Sequence, residues 1–267
     1  PTMLYGMSAS SLVNPIARGM ASWLLANASA VTFREATSVE SLRKDNVSIP
    51  EELHILPDPV MCASASTEHR AREILSGEGV ELSDGRPLLG VAARSLEHLG
   101  AESNESYLRR LTGVADAWIA EGGSVVYISQ CTYEHGGSVA DDRVIGEVLC
   151  SRLQQPGRAS LLNGHYAPWD VESVYGVCDA ALATRLHAGV YGCKQGTPTV
   201  ALAYEPKVTG FWRSISAERY CLDLATPASV ILQTLRRATE QSDQDNICAR
   251  IGELRDTAVG YADIAAG

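Results

Sequence analysis

Three residues stand where chemistry on a small anion would need them. Arg185 and His187 lie one residue apart in ALATRLHAGVYG, and Lys207 follows twenty residues later in ALAYEPKVTGF. Each comes directly after a short apolar run that reads as a strand, and each opens a run that reads as a helix. In parallel α/β sheets, ligands bind outside the carboxyl ends of the strands. A helix start offers free N–H groups and the positive end of its dipole to an anion. An arginine beside it adds a two-point fork for carboxylate or phosphate. A histidine adds proton transfer near neutral pH.

Two further arginines repeat the placement. Arg34 closes the apolar run AVTF, and Arg94 follows PLLGVAA. The expectation is that Arg34, Arg185, His187 and Lys207 face one cleft, with Arg94 a weaker candidate. Each also has a plainer reading. Arg34 has Glu35 and Glu40 for salt-bridge partners, Arg185 has a domain salt bridge, His187 a helix-capping role and Lys207 a solvated position. Lysine at a helix start opposes the dipole, which argues for a role other than helix stability. Asp58, in LPDP, reads as a turn carboxylate, and Asp179 as the start of a strand. Tyr133, His135, Gly136 and Gly137, and separately Asn163 to Tyr166, form loops on the same rim.

The elements that must hold these residues alternate strand and helix twice. Strands are expected near 2–6, 30–33 and 53–58, with helices over 11–27 and, after Glu35, through Lys44. The first helix carries its apolar residues Leu12, Ile16, Met20, Trp23 and Leu24 at helical spacing, with Pro15 near its start. Residues 62–86, rich in Ser, Glu and Gly, break the pattern. Strands then follow at 87–93, 125–129, 159–163, 180–184, 199–204 and 219–224. Helices fill the intervals at 104–121, 139–155, 170–177, 187–195 and 206–215, and the tail from 227 is helical. The expected fold class is α/β with two Rossmann-like domains. Residues 1–62 form part of an N-terminal one, 63–86 a linker, and 87–267 a C-terminal one with a helical tail. Because Pro1 opens what reads as an interior strand, the N-terminal domain is expected to be incomplete.

Composition narrows the function. With 22 Lys and Arg against 32 Asp and Glu, the formal charge is −10. That argues against general affinity for nucleic acid or anionic membrane, so an anion site must be a local basic focus. Seven cysteines at wide spacings contain no C-x-x-C pair, and reduced thiols in a cytoplasmic protein are expected. No H-x-H or H-E-x-x-H pattern suggests a metal, and neither G-x-G-x-x-G nor a Walker A loop suggests a nucleotide cofactor.

The stretch from Asp179 to Trp212 resembles the closing motif of polysaccharide pyruvyl transferases. That motif runs strand, R-L-H, small-residue helix, G-x-P, strand, Tyr-x-x-Lys and Gly-Phe. Here it is carried by Arg185, His187, Gly196, Pro198, Tyr204, Lys207, Gly210 and Phe211. TMLYGMSAS, AVTFREATSVESLRK and HILPDPV look like the family's middle section. The resemblance implies a fold of the GT-B kind and transfer of a pyruvyl unit from phosphoenolpyruvate to a saccharide, as a ketal. It implies phosphoenolpyruvate as donor substrate with no other cofactor and no metal. Arg34, Arg185, His187 and Lys207 would hold it. A saccharide or lipid-linked saccharide would accept, which would bring the protein to a membrane surface through its acceptor. The chain departs from the family where GMSAS (6–10) replaces a GQGxGP loop, and a Gly-Gly-Gly loop is missing. The departure leaves a fragment, a different acceptor mode or lost catalysis open. Two rivals remain. One is a GT-B glycosyltransferase using a nucleotide sugar, with Glu205 binding the ribose. The other is an inactive truncated relative that binds anionic sugars.

Overall fold

The computed structural model describes residues 1–9, 11–82, 85–132 and 141–266. The chain divides into two compact units. The smaller contains Pro1–Ala63, Glu205–Ile215 and Ala249–Gly267, and the larger contains Ser64–Tyr204 and Ser216–Cys248.

In the smaller unit, β1 (Met3–Met7), β2 (Ala30–Phe33) and β3 (His54–Ile55) pair in parallel in the order β1-β2-β3. Helix α1 (Pro15–Asn27) crosses from β1 to β2, and α2 (Ala36–Lys44) follows β2. Asn14 caps α1 by accepting from the N–H groups of Ile16 and Ala17, and Pro15 occupies the first turn, where its missing N–H costs little. Leu25, Val31, Phe33, Val39, Leu42 and Val47 make the core. The apolar spacing in α1 does form a helix, but Ile16, Met20 and Trp23 lie on its outer surface, each about 70% exposed. The expected third strand, 53–58, pairs only at His54 and Ile55. Beyond it, Asp58 accepts from the Val60 N–H and starts a 3-10 turn at Pro59–Cys62.

The larger unit is built on a six-stranded sheet. Its strands are β4 (Leu88–Ala92), β5 (Ser124–Ile128), β6 (Ala159–Leu162), β7 (Ala180–Ala183), β8 (Thr199–Ala203) and β9 (Cys221–Asp223). All pair in parallel, in the order β6-β5-β4-β7-β8-β9. β4 and β7 are buried along their whole length, as the continuous apolar runs LLGVA and AALA require of strands covered on both faces. The covering helices include α3 (Glu68–Gly77), α4 (Ala101–Ala120), α5 (Asp142–Arg152), α6 (Pro168–Tyr175), α7 (Leu186–Lys194) and α9 (Ala228–Ala238). The remaining helices are α8 (Pro206–Ser214), α10 (Gln241–Ala258) and α11 (Gly260–Ala266).

Small residues bring α7 close to the sheet. Ala188, Gly189, Gly192 and Cys193 are all buried, and a Cβ on Gly192 would sit 2.2 Å from Thr199 Oγ1 on β8. The helix ends at Gly196, whose φ of +71° is the left-handed conformation a helix stop favours. A fully buried ion pair joins α7 to α6: Lys194 Nζ lies 2.9 Å from Glu172 Oε1, and Gln195 donates to the same carboxylate.

The compact units differ from the expected division in two respects. Residues 64–82 are no free linker, because α3 packs on α6 and Ser66 donates to Asp170, which ties this segment to the larger unit. Residues 205–215 and the last part of the tail belong to the smaller unit, since α8 packs on α2 and Tyr261 of α11 packs on Tyr5 of β1. Hydrophobic spacing reveals that a helix has an apolar side, not which sheet that side will cover. The expected helix over 139–155 is observed as Asp142–Arg152, and Tyr133, His135, Gly136 and Gly137 lie outside the described residues.

Two glycine substitutions should move stability in opposite directions. Gly192→Ala forces a methyl into Thr199 and should destabilise by about 1–3 kcal/mol. Gly19→Ala, in the interior of α1 with open space around it, should stabilise by roughly 0.5–1 kcal/mol. Urea denaturation midpoints of the two variants, compared with wild type, check both signs.

Candidate functional site

In the order β6-β5-β4-β7-β8-β9, the strand order reverses between β4 and β7, since β5 and β6 extend to one side and β8 and β9 to the other while all strands stay parallel. A crevice opens outside the carboxyl ends of two parallel strands at such a switch point. The residues that follow those two strands are Ala93-Arg94-Ser95 and Thr184-Arg185-Leu186-His187. Three of the five sequence candidates thus lie at the switch point of the larger sheet.

Each is held by a definite partner. Thr184 is fully buried, its hydroxyl shares a 2.8 Å hydrogen bond with Tyr107, and its N–H donates to the Ala92 carbonyl. That fixes the chain just before Arg185. Arg185 is the N-cap of α7 in extended backbone, and its side chain does not cap the helix. Instead it turns to Asp142 at the start of α5, donating from Nε to Oδ2 at 3.1 Å and from Nη2 to Oδ1. Burial alone would lower the Arg185 pKa, but its hydrogen bonds and charge pairing with Asp142 outweigh burial and hold it above the ordinary arginine value. His187 sits in the first turn of α7 and stacks on Tyr191 one turn later, with centroids 6.1 Å apart. Tyr191 in turn lies against Tyr175, which is completely buried, and burial pushes the Tyr175 phenol well above its usual pKa. The imidazole thus leans on a column of neutral rings.

Arg94 has a different environment. It donates from Nη1 to the Tyr204 hydroxyl at 2.6 Å, and its guanidinium lies 4.8 Å from the centre of the same ring. Among the described residues it pairs with no carboxylate. A cavity of about 500 Å³ opens beside Tyr204 on this rim, bounded by Leu96, Glu102, Arg110 and Asp223.

Arg34 and Lys207 belong to the smaller unit, where they line one cavity of about 590 Å³ together with Ser8, Glu35, Lys44 and Glu205. Arg34 follows β2, and its Nη1 lies 2.5 Å from Asp58 Oδ2. Its Nε is 3.3 Å from Glu35 Oε2 but outside hydrogen-bond geometry, which leaves a buried N–H without a partner. Glu35 also accepts from Ser8 and Ser38. Lys207, in the first turn of α8, lies 2.5 Å from Glu205. The salt bridge that Arg34 offered as its plainer reading is therefore present.

Sequence reasoning did not single out Asp142, nor the Arg94–Tyr204 contact. The paired Asp141-Asp142 before a helical run was the available signal for the first, as acids favour helix starts. Asp58 proves to be both the expected turn carboxylate and the partner of Arg34. Asp179 stands before β7 as expected and accepts from the Leu88 N–H. His165 bridges Thr132 and Arg143. Among the described residues, no group of three His, Cys, Asp or Glu side chains is placed to hold a metal ion. No helix there is long and apolar enough to cross a membrane.

Comparison with solved structures identifies the fold. The chain is similar to WaaG, a glycosyltransferase involved in lipopolysaccharide biosynthesis (16% identity, TM-score 0.58, covering 89% of this chain and 62% of that one). It is also similar to an α,α-trehalose-phosphate synthase from Burkholderia vietnamiensis (15% identity, TM-score 0.61, covering 99% and 68%). These likenesses, with two parallel α/β units, show a Rossmann-like fold of the GT-B kind. In sequence, the amylovoran biosynthesis protein AmsJ of Erwinia amylovora is 20% identical over 232 residues, which covers 84% of this chain. The chain spans about half (54%) of that relative's length. The profile of the family described as polysaccharide pyruvyl transferase matches residues 1–206, which include β1 to β8 with Arg34, Arg94, Arg185 and His187, and the chain belongs to that family.

Proposed function

We propose that this chain carries the donor-handling machinery of a transferase that moves a pyruvyl unit from phosphoenolpyruvate to a saccharide, forming a ketal in cell-surface polysaccharide biosynthesis. The observation that carries this reading is the meeting of Arg94, Arg185 and the start of α7, with His187 in its first turn, at the switch point between β4 and β7. Family membership and the similarity to a protein named for amylovoran biosynthesis support the saccharide acceptor.

Phosphoenolpyruvate carries a carboxylate and a phosphate on one carbon. Arg94 and Arg185 supply two guanidinium groups for these anions, and the open start of α7 adds backbone N–H groups. The family resemblance adds Arg34 and Lys207, which line one cavity of the smaller unit, as further candidates for an anionic donor. In the reaction, one sugar hydroxyl adds to the central carbon while a proton goes to the methylene carbon, which becomes a methyl. A second hydroxyl then displaces phosphate and releases its own proton. His187 is the candidate to hand over or receive a proton in these steps. The arginines stabilise charge as it gathers on the departing phosphate. The nucleotide-sugar alternative would use a ribose-binding carboxylate for which Glu205 could serve, and Glu205 here lies beside Lys207.

Arg94→Ala should weaken phosphoenolpyruvate binding by about 2 kcal/mol, roughly thirtyfold, because a charge-assisted contact is lost with no carboxylate left behind unpaired. Lys207→Ala should cost only about 1 kcal/mol, roughly fivefold, since Lys207 is partly exposed and already shared with Glu205. Titration calorimetry with phosphoenolpyruvate orders the two. The reading fails if wild-type protein shows no binding.

His187→Ala should retain most of the donor affinity yet release phosphate at least a hundredfold more slowly in the presence of acceptor glycans. Phosphate release and calorimetry on the same variant separate the roles. Unchanged turnover would remove His187 from proton transfer.

A further inference from the structure

The buried carboxylate of Asp142 has no place in the reading so far, and its contacts are unusually complete. Asp142 is 4% exposed and is the first residue of α5. Its Oδ2 accepts from three donors: the backbone N–H of Gln130 at 3.2 Å, that of Cys131 at 3.0 Å and Arg185 Nε at 3.1 Å. Its Oδ1 accepts from Arg185 Nη2. In return, the Asp142 N–H donates to the Cys131 carbonyl at 2.8 Å. One side chain thus ties the carboxyl end of β5, the start of α5 and the start of α7 together.

The geometry of the pair assigns it a purpose. A guanidinium has five N–H groups in one plane. Asp142 takes the edge formed by Nε and Nη2. The edge formed by Nη1 and the second N–H of Nη2 points away from that carboxylate, and it is a two-point fork of the same kind. Gripping the first edge stops rotation about the last side-chain bonds and so fixes the direction of the second. We propose that Asp142 is a positioning residue, which aims the outer fork of Arg185 at the donor's carboxylate or phosphate in the switch-point crevice. This rests on the donor reading above. It goes beyond it in assigning Arg185 its orientation through α5, an element that carries none of the sequence candidates.

The test is a double-mutant cycle on the chain, with Asp142→Asn, Arg185→Ala and the double variant, titrated with phosphoenolpyruvate and with inorganic phosphate. Asparagine keeps the size and one oxygen for the Gln130 and Cys131 N–H groups but presents an NH₂ where Arg185 needs an acceptor. Asp142→Asn alone should lower affinity about tenfold. In the Arg185→Ala background it should lower it less than twofold. Equal losses in both backgrounds would mean that Asp142 acts on the fold at large and would overturn the proposal. Asp142→Glu keeps the charge opposite Arg185 and leaves its outer fork intact but shifts the carboxylate by one methylene, so it tests the same link if Asp142→Asn does not fold. It should also lose about tenfold. The Arg185 Nε–H resonance in a ¹⁵N spectrum, assigned by its loss in Arg185→Ala, is the readout independent of ligand. It should be sharp in wild type and shift or broaden in Asp142→Asn. If wild type binds neither anion, the donor reading falls, and an unchanged Nε–H resonance in Asp142→Asn would sink the positioning role separately.

Discussion

Every strand of the larger sheet runs in the same direction, and that single constraint decides where chemistry can occur. Parallel pairing forces each strand to return by a crossover, so the turns that leave the strands all gather on one rim. The order places the two most deeply buried strands, β4 and β7, beside each other at the centre. The residues that follow them are therefore neighbours although ninety positions separate them. Arg94 and Arg185 owe their proximity to backbone hydrogen bonds between Ala92 and Ala183 and their neighbours, not to any attraction between themselves. Two guanidinium groups repel, and the sheet holds them near each other regardless.

Most of the candidate cations are balanced by a carboxylate. Arg34 has Asp58, Lys207 has Glu205 and Arg185 has Asp142. An arginine buried without such a partner would pay a large desolvation cost. Of these candidates Arg94 differs, with an aromatic face and a hydroxyl in place of a carboxylate. The difference has a chemical meaning. A guanidinium already neutralised would meet an anion only through directed N–H groups, whereas one without a carboxylate partner, such as Arg94, would also attract it at longer range.

Much of this was legible in the residues. The runs LLGVA, VVYI, AALA and TVALA are short, apolar and bounded by turn signals, and such runs become buried parallel strands. Arg185, His187 and Lys207 were recognisable because they interrupt the change from strand to helix. What sequence pattern did not disclose was pairing at a distance. Nothing around Asp142 announces that it will meet Arg185, forty-three positions away. Nothing in YEP says that Tyr204 will receive Arg94. The exposed stripe of α1 shows the opposite limit, since periodic apolar residues specify a helix without guaranteeing that its apolar side is covered.

The smaller unit is assembled from three separate stretches, the last of which starts at Ala249. During synthesis its strands β1 to β3 leave the ribosome before the larger unit, yet α8 and α11 follow only after most or all of that unit has been made. At about 5–20 residues per second, that is a wait of roughly ten seconds or more. Throughout it, the surfaces of β1 and α2 that α11 and α8 will cover stand bare. The larger unit has no such delay in its central strands, because β4 to β8 lie within one uninterrupted stretch. The order of completion of the two units is thus the reverse of the order in which their first strands are made: the smaller unit, started before the larger, is completed after it.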